Sequence, residues 1–445
     1  MRKIEITADR LVSSLLRLAE FKNVAILDSC GVGRTESNLL IAGIEPVEVH
    51  AISNDDAVET LSFFDEKFGS RNLAAIFTIS YDFGLKLQHI ERQPKGSNSH
   101  SEPDIYLALF ECLVIHNYDS GQTFLSGNPA KFDKVEKELF DSLPQDLPSV
   151  FVSSQNAPAN SNFTQSEYFD AINTIKELIR SGDTYQTNLT QQLTVDVSNG
   201  LTAAIIFGRL RRDHPAPFAA YIDRGSSTVV SASPERFVRV SSNPAGDRMI
   251  SASPIKGTRR RGNSVNEDEL LRADLLNSEK DRAENTMIVD LMRNDLGRIC
   301  EYGSVSVASL CKLEEHPTLF HLVSTVNGTL RDGTAYSDII KAVFPCGSIT
   351  GAPKVRTLQI IDEIENADRG LSMGAIGYRT PENSFGLPAI FEMSVAIRTM
   401  VIRDGKAVFN VGGGIVIDSD PESEYNESLL KAKALLSALN AKNIT

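Results

Sequence analysis

The sequence has no tryptophan and only five cysteines among its 445 residues. The cysteines, at positions 30, 112, 300, 311 and 346, are scattered and form no C-x-x-C pair, which predicts reduced thiols rather than disulfides or a zinc site. No run of about 18 apolar residues is present, so no membrane-spanning helix is expected. The N-terminal segment MRKIEITADRLVSSLLRLAE interrupts its apolar positions with charges, unlike a secretory signal. These absences predict a soluble protein of the cytoplasm.

Basic residues are also in deficit, with 45 Lys and Arg against 58 Asp and Glu and a formal net charge of −13. Such a chain repels a polyanion, and its basic runs are too short to form a nucleic-acid-binding face. The apolar content of 41% suffices for one large core or roughly two to three ordinary ones. The composition therefore favours small-molecule chemistry over nucleic-acid binding.

Two segments, 91–104 and 143–165, have the Pro-, Ser- and Asn-rich composition of solvated connections. The second divides the chain into an N-terminal region, 1–150, and a region, 151–445, that carries the clusters of reactive side chains. Within the latter, Thr164 and Glu167 have capping-box spacing and Gly182 predicts the end of the helix they begin. Residues 184–197 then alternate with the period of a strand that has one polar face. Similar strands interleaved with long helices predict an α+β fold with large antiparallel sheets.

An acidic pair marks the segment NSEKDRAENTMIVDLMRNDLG, whose apolar residues recur with helical spacing. Asp281 and Glu284 are three residues apart and therefore share one face of the predicted helix. One interpretation is structural: Ser278 caps the helix, Asp281 complements its first turn, and Glu284 is a surface acid. The other interpretation is a ligand site.

A second acidic helix is predicted in DSDPESEYNESLLKAKALLSAL, where Glu424, Glu427 and Lys431 lie on one face. Glutamates near a helix start complement its dipole, which explains Glu424 better than it explains Glu427, one turn deeper. Mg²⁺ is usually held by one or two carboxylates, several waters and substrate oxygens. One glutamate from each helix would therefore make a suitable half-open Mg²⁺ site.

Possible anion-binding segments lie at 254–262 (PIKGTRRRG), 347–364 (GSITGAPKVRTLQIIDEI) and 396–399 (AIRT). A phosphate-binding loop is excluded by spacing, since Lys354 follows Ala-Pro and Val355 stands where Ser or Thr would bind magnesium. The glycines of NVGGGIVID are interpreted either as a bulge or bend in a strand or as room for a planar ligand.

Together these segments resemble the chorismate-utilising enzymes, which include the anthranilate, aminodeoxychorismate, isochorismate and salicylate synthases. The resemblance covers about residues 165–440 and rests on nine segments in family order: YQTNLTQ, SASPERF, PIKGTRRRG, EKDRAENTMIVDLMRNDLG, FHLVSTVNG, GSITGAPK, GAIGY, AIRT and GGGIVIDSDPESEYNESLLKA. It implies two large, mostly antiparallel sheets packed on each other with helices outside. The N-terminal region would belong to the same compact unit.

The resemblance also implies the roles of individual residues. Glu284 and Glu427 would be Mg²⁺ ligands, and Asp281 and Glu424 would hold metal-bound water. Glu235 would protonate the departing 4-hydroxyl of chorismate, which requires a raised pKa. The positions that match chorismate contacts are Gly257, Thr258, Thr350, Tyr378, Arg398, Gly412, Gly413 and Lys431.

Lys256 is the residue that discriminates between reactions. Its context, PIKGT, resembles the aminodeoxychorismate synthases, whereas the other members of the family typically carry alanine there. The resemblance implies that the lysine amine adds at C2, after which ammonia enters at C4 and gives 4-amino-4-deoxychorismate, a precursor of 4-aminobenzoate and folate. Alternatively, Lys256 anchors a carboxylate. An anthranilate-forming subunit and a catalytically silent chorismate-binding regulator are the rival functions.

Gln186 replaces the lysine with which isochorismate and salicylate synthases activate water, so amination is favoured over water addition. His321 matches a histidine implicated in aromatisation but is shared across subfamilies. No cysteine lies in the G-x-C-x-G context of a glutaminase nucleophile, so ammonia is expected from a separate glutamine amidotransferase subunit. Asp28 and Ser29 depart from the LLES pattern of tryptophan-binding relatives, which argues against feedback inhibition.

Overall fold

The computed structural model describes residues 1–33, 37–69, 72–93, 95, 102–142, 157–198, 200–315, 319–382 and 385–442. Much of both predicted connections lies outside these ranges, namely residues 94, 96–101 and 143–156. The division of the chain near residue 150 therefore stays a prediction.

Within the described residues the chain forms 22 strands. These are β1 (Arg2–Ile4), β2 (Val24–Asp28), β3 (Leu39–Ile44), β4 (Glu48–Ile52), β5 (Ala74–Ile79), β6 (Ile105–Phe110), β7 (Cys112–Asn117), β8 (Gln122–Gly127), β9 (Ala159–Ser161), β10 (Gln186–Asp196), β11 (Phe218–Asp223), β12 (Thr228–Ser233), β13 (Arg236–Ser242), β14 (Arg248–Ala252), β15 (Ile255–Arg260), β16 (Ser306–Glu315), β17 (Leu319–Thr329), β18 (Gly351–Ala352), β19 (Ala375–Arg379), β20 (Phe391–Val395), β21 (Thr399–Arg403) and β22 (Lys406–Ile415).

The same ranges contain 11 α-helices and two short 3₁₀ helices, Pro129–Lys131 and Gly347–Ile349. The α-helices are α1 (Ala8–Leu18), α2 (Ala57–Phe68), α3 (Tyr81–Leu87), α4 (Phe132–Asp141), α5 (Gln165–Arg180), α6 (Ala203–Asp213), α7 (Val265–Asn277), α8 (Glu279–Gly297), α9 (Tyr336–Val343), α10 (Lys354–Ile364) and α11 (Pro421–Ala438). None of these helices is both long and apolar enough to cross a membrane.

The strands form two antiparallel sheets. The larger has 12 strands in the order β1-β8-β7-β3-β2-β11-β12-β21-β22-β10-β18, with β9 beside β10. The smaller has ten in the order β15-β17-β14-β13-β20-β19-β5-β6-β4, with β16 beside β17. Strands from the first 150 residues and from the later chain are hydrogen-bonded to each other in both sheets, as β2 is to β11 and β5 is to β19.

Three apolar layers hold the sheets and helices together. Between the sheets, Ile41 and Ile222 of the larger sheet pack with Ile76 and Ile376 of the smaller. The other two layers lie between the outer face of each sheet and the helices that cover it. Strands β5 and β6 read as continuous apolar runs because both of their faces are buried. The predicted α+β fold, with two large sheets packed on each other and helices outside, is confirmed.

The helices that carry the predicted site begin as the sequence indicates. Thr164 and Glu167 form the capping box of α5. The hydroxyl of Ser278 accepts a hydrogen bond from the Asp281 N–H at the start of α8. Asp420 caps α11, with proline at its first position. Asp281 and Glu424 therefore lie in the first turns of their helices, where the backbone dipole favours negative charge.

Candidate active site

Strand β22 brings three consecutive glycines, Gly412 to Gly414, beneath the acidic helices. It pairs with β10 in unbroken register, so these glycines form no bulge. A Cβ on Gly412 would overlap the carbonyl oxygen of Leu189, and one on Gly414 would overlap the side-chain amide of Gln186. Gly412 is therefore required by the close approach of the β10 backbone, and Gly414 leaves room for the side chain of Gln186.

Helix α11 places Glu424 and Lys431 above these glycines. A Cβ on Gly413 would lie 3.2 Å from Glu424 Oε2 and 3.5 Å from Lys431 Nζ. Lys431 Nζ donates to the Gly412 carbonyl at 2.8 Å and pairs with Glu427 Oε1 at 2.8 Å. Glu424 is buried, whereas the Glu427 side chain is 54% exposed. The two glutamates thus present one inner and one outer carboxylate.

Helix α8 supplies the opposite acidic wall. Glu284 Oε2 lies 3.9 Å from Lys256 Nζ and 3.4 Å from Gln186 Nε2, which donates to it. Lys280 Nζ, from the same helix, lies 3.7 Å from Glu424 Oε1 and so links α8 to α11. The predicted acids of the two helices are therefore brought together around lysine ammonium groups.

The charges of this cluster perturb one another. Burial raises the pKa of Glu284, and the nearby carboxylates of Asp281 and Glu424 add to that rise, against the opposing effect of Lys256 and Lys280. For Glu427, burial also acts upward, but the ammonium groups of Lys431, Lys280 and Lys256 outweigh it and lower the pKa. The negative charge of Glu284 is therefore incompletely compensated by neighbouring cations, whereas the charge of Glu427 is stabilised by them.

Lys256 lies in an irregular part of β15, the edge strand of the smaller sheet. The register with β17 shifts between Ile255 and Thr258, and Gly257 between them has φ +88°. A Cβ on Gly257 would come within 3.0 Å of Asp281. The bulge directs the Lys256 side chain toward α8, and Gly257, which has no side chain, permits the close contact with that helix.

Glu235 lies between β12 and β13 and is 4% exposed. Burial raises the pKa of Glu235 to about 7, although hydrogen bonds from Ser348 and from the Ile255 N–H and the charge of Lys256 oppose that rise. Its Oε1 is buried and accepts no hydrogen bond from the residues described by the structure. The carboxyl group can therefore carry a proton at neutral pH and has an oxygen free for a ligand.

Thr258 and His321 are opposite each other on β15 and β17, with Thr258 Oγ1 2.9 Å from His321 Nδ1. Thr350 is buried after the 3₁₀ turn, where its hydroxyl donates to the Cys346 carbonyl and its own carbonyl accepts from the Asn188 N–H. These contacts fix the positions of three residues for which the sequence predicts roles at the site.

Arg398 is largely buried and has a left-handed backbone, with φ 48°. Burial lowers the pKa of its guanidinium, and no carboxylate in the described residues pairs with it. An incompletely compensated buried cation is a suitable partner for a ligand carboxylate. This environment is consistent with the predicted contact to chorismate.

Tyr378, another predicted contact to chorismate, lies between the two sheets. Its hydroxyl donates to Glu392 Oε2 at 3.3 Å, and Glu392 in turn accepts from Arg236 Nε at 2.8 Å. The tyrosine belongs to the apolar layer between the sheets and lines a small cavity with Asp28 and Ser29. It points there because alternate residues of β19 face the other sheet. Its predicted contact with chorismate stays a prediction.

No group of three or more His, Cys, Asp or Glu side chains in the described ranges is arranged to hold a metal ion by itself. Mg²⁺ needs fewer protein ligands, because it keeps several waters and accepts substrate oxygens. The carboxylates of Asp281 and Glu424 lie near enough to Glu284 for each to add to the rise in its pKa. Such neighbouring carboxylates on two helices are donors of the kind that a hydrated divalent cation requires.

The structure adds three residues to the site for which the sequence analysis predicts no role. Ser348 bonds Glu235, Lys280 bridges the acidic helices, and Asn188 has a buried, unpaired side-chain oxygen. Ser348 and Lys280 lie in GSITGAPK and EKDRAENT, two of the segments that resemble the chorismate-utilising enzymes. Their proximity in sequence to predicted site residues is the signal that could have identified them. Asn188 follows Gln186 by two residues on the polar face of β10, which is the available signal for it.

The fold and this arrangement of charged groups are those expected of a chorismate-utilising enzyme, and the sequence comparisons show that class. The chain belongs to the family described as chorismate binding enzyme, whose sequence profile matches residues 26–437.

Relatives within that family include both kinds of aminating subunit. The chain is 32% identical to aminodeoxychorismate synthase component 1 of Bacillus subtilis, over 98% of this chain and 96% of the relative. It is 35% identical to an anthranilate synthase component 1 of Haloarcula marismortui, over 89% and 82% of the two chains. The crystal structure of anthranilate synthase component I from Streptococcus pneumoniae is similar with a TM-score of 0.73 and 26% identity, covering 93% of this chain and 90% of that one.

Proposed function

We propose that this enzyme aminates chorismate with ammonia to 4-amino-4-deoxychorismate, as component I of an aminodeoxychorismate synthase. The observation that carries the proposal is the placement of Lys256, whose amine lies 3.9 Å from Glu284 and close enough to Glu235 for their charges to interact. The full-length similarity to the Bacillus subtilis enzyme of that name supports it.

In the first half of the proposed reaction, the neutral amine of Lys256 bonds to C2 of chorismate as the bond between C4 and its hydroxyl breaks. Glu235 donates its proton to that hydroxyl, which leaves as water. The Glu235 carboxylate then takes a proton from the new secondary ammonium. The raised pKa of Glu235, about 7, supports this use as both acid and base.

In the second half, ammonia bonds to C4 while the bond between C2 and the lysine nitrogen breaks. Glu235 returns its proton to the leaving lysine nitrogen and recovers one from the new ammonium at C4. The sum is chorismate plus ammonia giving aminodeoxychorismate plus water, and both protein groups return to their starting states. Retention of the enolpyruvyl group distinguishes this product from anthranilate.

Mg²⁺ would be held by Glu284 and Glu427, with Asp281 and Glu424 on metal-bound water. When bound there, the ion would neutralise the ring carboxylate and favour charge movement toward it. Lys431 and Arg398 would provide the cations for the substrate's negative charges. The crowding of carboxylates around Glu284 supports this assignment.

Ammonia would come from glutamine through a separate amidotransferase subunit, in line with the component 1 naming of the relatives. The product would lead to 4-aminobenzoate and folate in the cytoplasm. The alternative product is anthranilate, favoured by the similarity to anthranilate synthase components. In that case Lys256 would anchor a substrate carboxylate.

Product analysis of the purified chain distinguishes these functions. The chain is incubated with chorismate, Mg²⁺ and an ammonium salt at alkaline pH, and the products are resolved by mass. A product that retains the enolpyruvyl group and yields 4-aminobenzoate with added lyase is expected. Anthranilate with free pyruvate would overturn the proposal in favour of the second function, and the absence of any product would favour a silent chorismate-binding protein.

A further inference from the structure

Strand β10 carries two carboxamide side chains with unpaired oxygens. Gln186 and Asn188 are 2% and 8% exposed. Gln186 Oε1 and Asn188 Oδ1 are both buried, and neither accepts a hydrogen bond from any residue in the described ranges. Buried amide oxygens are nearly always hydrogen-bonded in native proteins. Two such oxygens on one strand therefore indicate a hydrogen-bond donor that is not among the described residues, and a small bound molecule can supply it.

The two carboxamides lie close together. Gln186 and Asn188 are two residues apart, so both project from the same face of β10. The side-chain amide of Gln186 lies where a Cβ on Gly414 would be, and Gly414 is directly opposite Asn188 in the ladder between β10 and β22. Cβ positions of directly opposite residues are about 5 Å apart. One small molecule can therefore contact both oxygens.

This pair adjoins the proposed reacting groups. Gln186 Nε2 donates to Glu284 Oε2 at 3.4 Å, and that same oxygen lies 3.9 Å from Lys256 Nζ. The bond to Glu284 uses the nitrogen of the carboxamide, which leaves its oxygen available. A molecule bound to the two oxygens would stand beside the lysine and the substrate that it attacks.

We propose that Gln186 and Asn188 bind the reacting ammonia, an inference that rests on the proposed function. Ammonia has three N–H donors and one lone pair. Two neutral acceptor oxygens hold two of those donors and leave the lone pair free to face C4 of the substrate. A lysine in place of Gln186 would repel the ammonium ion, and a carboxylate there would favour the ion, whose lone pair is protonated. Neutral carboxamides neither repel the ammonium ion nor favour it over ammonia.

Asn188→Leu tests the inference because it removes the acceptor at nearly constant volume. Initial rates are measured against ammonium concentration at saturating chorismate and constant pH. Loss of one hydrogen bond is expected to raise KM for ammonium about tenfold, with KM for chorismate within twofold of the wild type. An unchanged KM for ammonium in Asn188→Leu would overturn the inference.

Gln192→Met is the matched control. Gln192 lies on the same face of β10, but its side-chain amide is already used, since it donates to the Asp368 carbonyl at 2.8 Å. This variant is expected to keep the wild-type KM for ammonium. If it raised that KM as much as Asn188→Leu does, the effect would come from the strand and the inference would be wrong. Asn188→Ala, which removes the acceptor oxygen, carries the same prediction should the leucine variant fail to fold.

The products of the wild type separate this inference from the proposed function. Aminodeoxychorismate from the wild type together with an unchanged ammonium KM in Asn188→Leu overturns the ammonia site alone. Anthranilate from the wild type together with a raised ammonium KM overturns the proposed product and supports the ammonia site. Folded wild-type enzyme that forms no ammonia-dependent product overturns both.

Discussion

Lys256 Nζ lies 3.9 Å from Glu284 Oε2, across the junction between the edge strand β15 and helix α8. Neither side chain is fully exposed, at 14% and 15%, so their charges interact with less screening than at an open surface. The contact depends on the bulge at Gly257, which turns this part of β15 toward the helix. A reactive amine is thereby held beside the proposed metal-binding carboxylate.

Replacement of Lys256 distinguishes a nucleophile from an anchor. Lys256→Ala is expected to lower the rate of aminodeoxychorismate formation at saturating substrate by at least about 100-fold, because the covalent route is lost. An anchoring role would instead raise KM for chorismate and leave kcat nearly unchanged. Mass-resolved product formation measures both constants. Lys312→Ala, at an exposed position of β16 in the same sheet, is the control and should behave as wild type.

Glu235 gives a prediction about stability that is independent of turnover. Its pKa is about 7 in the fold and near 4.5 in an unfolded chain, so between these values the folded state holds a proton that the unfolded state has released. Stability contributed by this group is therefore present at low pH and lost as pH rises from about 4.5 to 7. Glu235→Gln removes the ionisation and should be more stable than wild type at pH 8 by on the order of 3 kcal/mol.

Denaturant unfolding at pH 5 and pH 8 tests this sign. The stability difference between Glu235→Gln and wild type should be small at pH 5 and large at pH 8, while the variant loses amination activity at both. An equal difference at the two pH values would mean that Glu235 is ionised in the fold, and its use as the proton donor would be wrong.

How much of the site the sequence reveals depends on the range of the interactions involved. Spacing alone places Asp281 beside Glu284 on α8, because helical periodicity is local. The approach of Lys256 to that helix depends on a register shift between β15 and β17, which no local pattern encodes. Tyr378 is similar: its position in the chain is clear, but the face it occupies is set by how β19 packs against the other sheet.

The fold class could be predicted from the sequence because strand alternation and helix caps are also local signals. The bridging of the acidic helices by Lys280 was not, because it depends on the distance between α8 and α11 in the folded protein. The glycines of β22 left two interpretations open. The structure shows close approach to Leu189 and Gln186, which are more than 220 residues earlier in the chain than the glycines they contact.

The proposed metal site predicts that Mg²⁺ stabilises the folded protein through Glu284. Mg²⁺ at about 100 times its dissociation constant should add about 2.7 kcal/mol to the stability of the wild type. Glu284→Gln should lose most of this gain, although it is expected to be at least as stable as wild type without the ion, because burial and neighbouring acids disfavour its charge. Thermal unfolding with and without Mg²⁺ measures both effects.

Glu422→Gln serves as the control for the metal site. Glu422 lies in the first turn of α11 like Glu424, but its side chain is exposed to solvent, whereas Glu424 is buried. This variant should keep the Mg²⁺-dependent gain in stability. Glu427→Gln should raise the Mg²⁺ concentration needed for half-maximal activity. Full Mg²⁺ response in both Glu284→Gln and Glu427→Gln would show that the ion does not bind between these helices.

Adjacent glycines of β22 should respond differently to alanine, because their neighbours differ in rigidity. At Gly412 the new Cβ overlaps a backbone carbonyl in the middle of a sheet, so Gly412→Ala should lower the free energy of unfolding by about 3 kcal/mol. At Gly413 it meets only the ends of the Glu424 and Lys431 side chains, at 3.2 and 3.5 Å, which can shift. Gly413→Ala should therefore cost less than about 1 kcal/mol in stability but raise KM for chorismate, since the shifted groups are those proposed to bind the metal-bound water and the substrate.

Denaturant midpoints and chorismate kinetics together test this contrast. Gly208→Ala is the matched control: its Cβ would meet only Leu16 Cδ1 at 3.9 Å, an ordinary contact, on helix α6. Because alanine is favoured over glycine within a helix by about 1 kcal/mol, this variant should be as stable as wild type or more so, with unchanged kinetics. If Gly413→Ala kept the wild-type KM for chorismate while its fold stayed intact, Glu424 and Lys431 could not be in the substrate site, because the substitution acts on those two side chains.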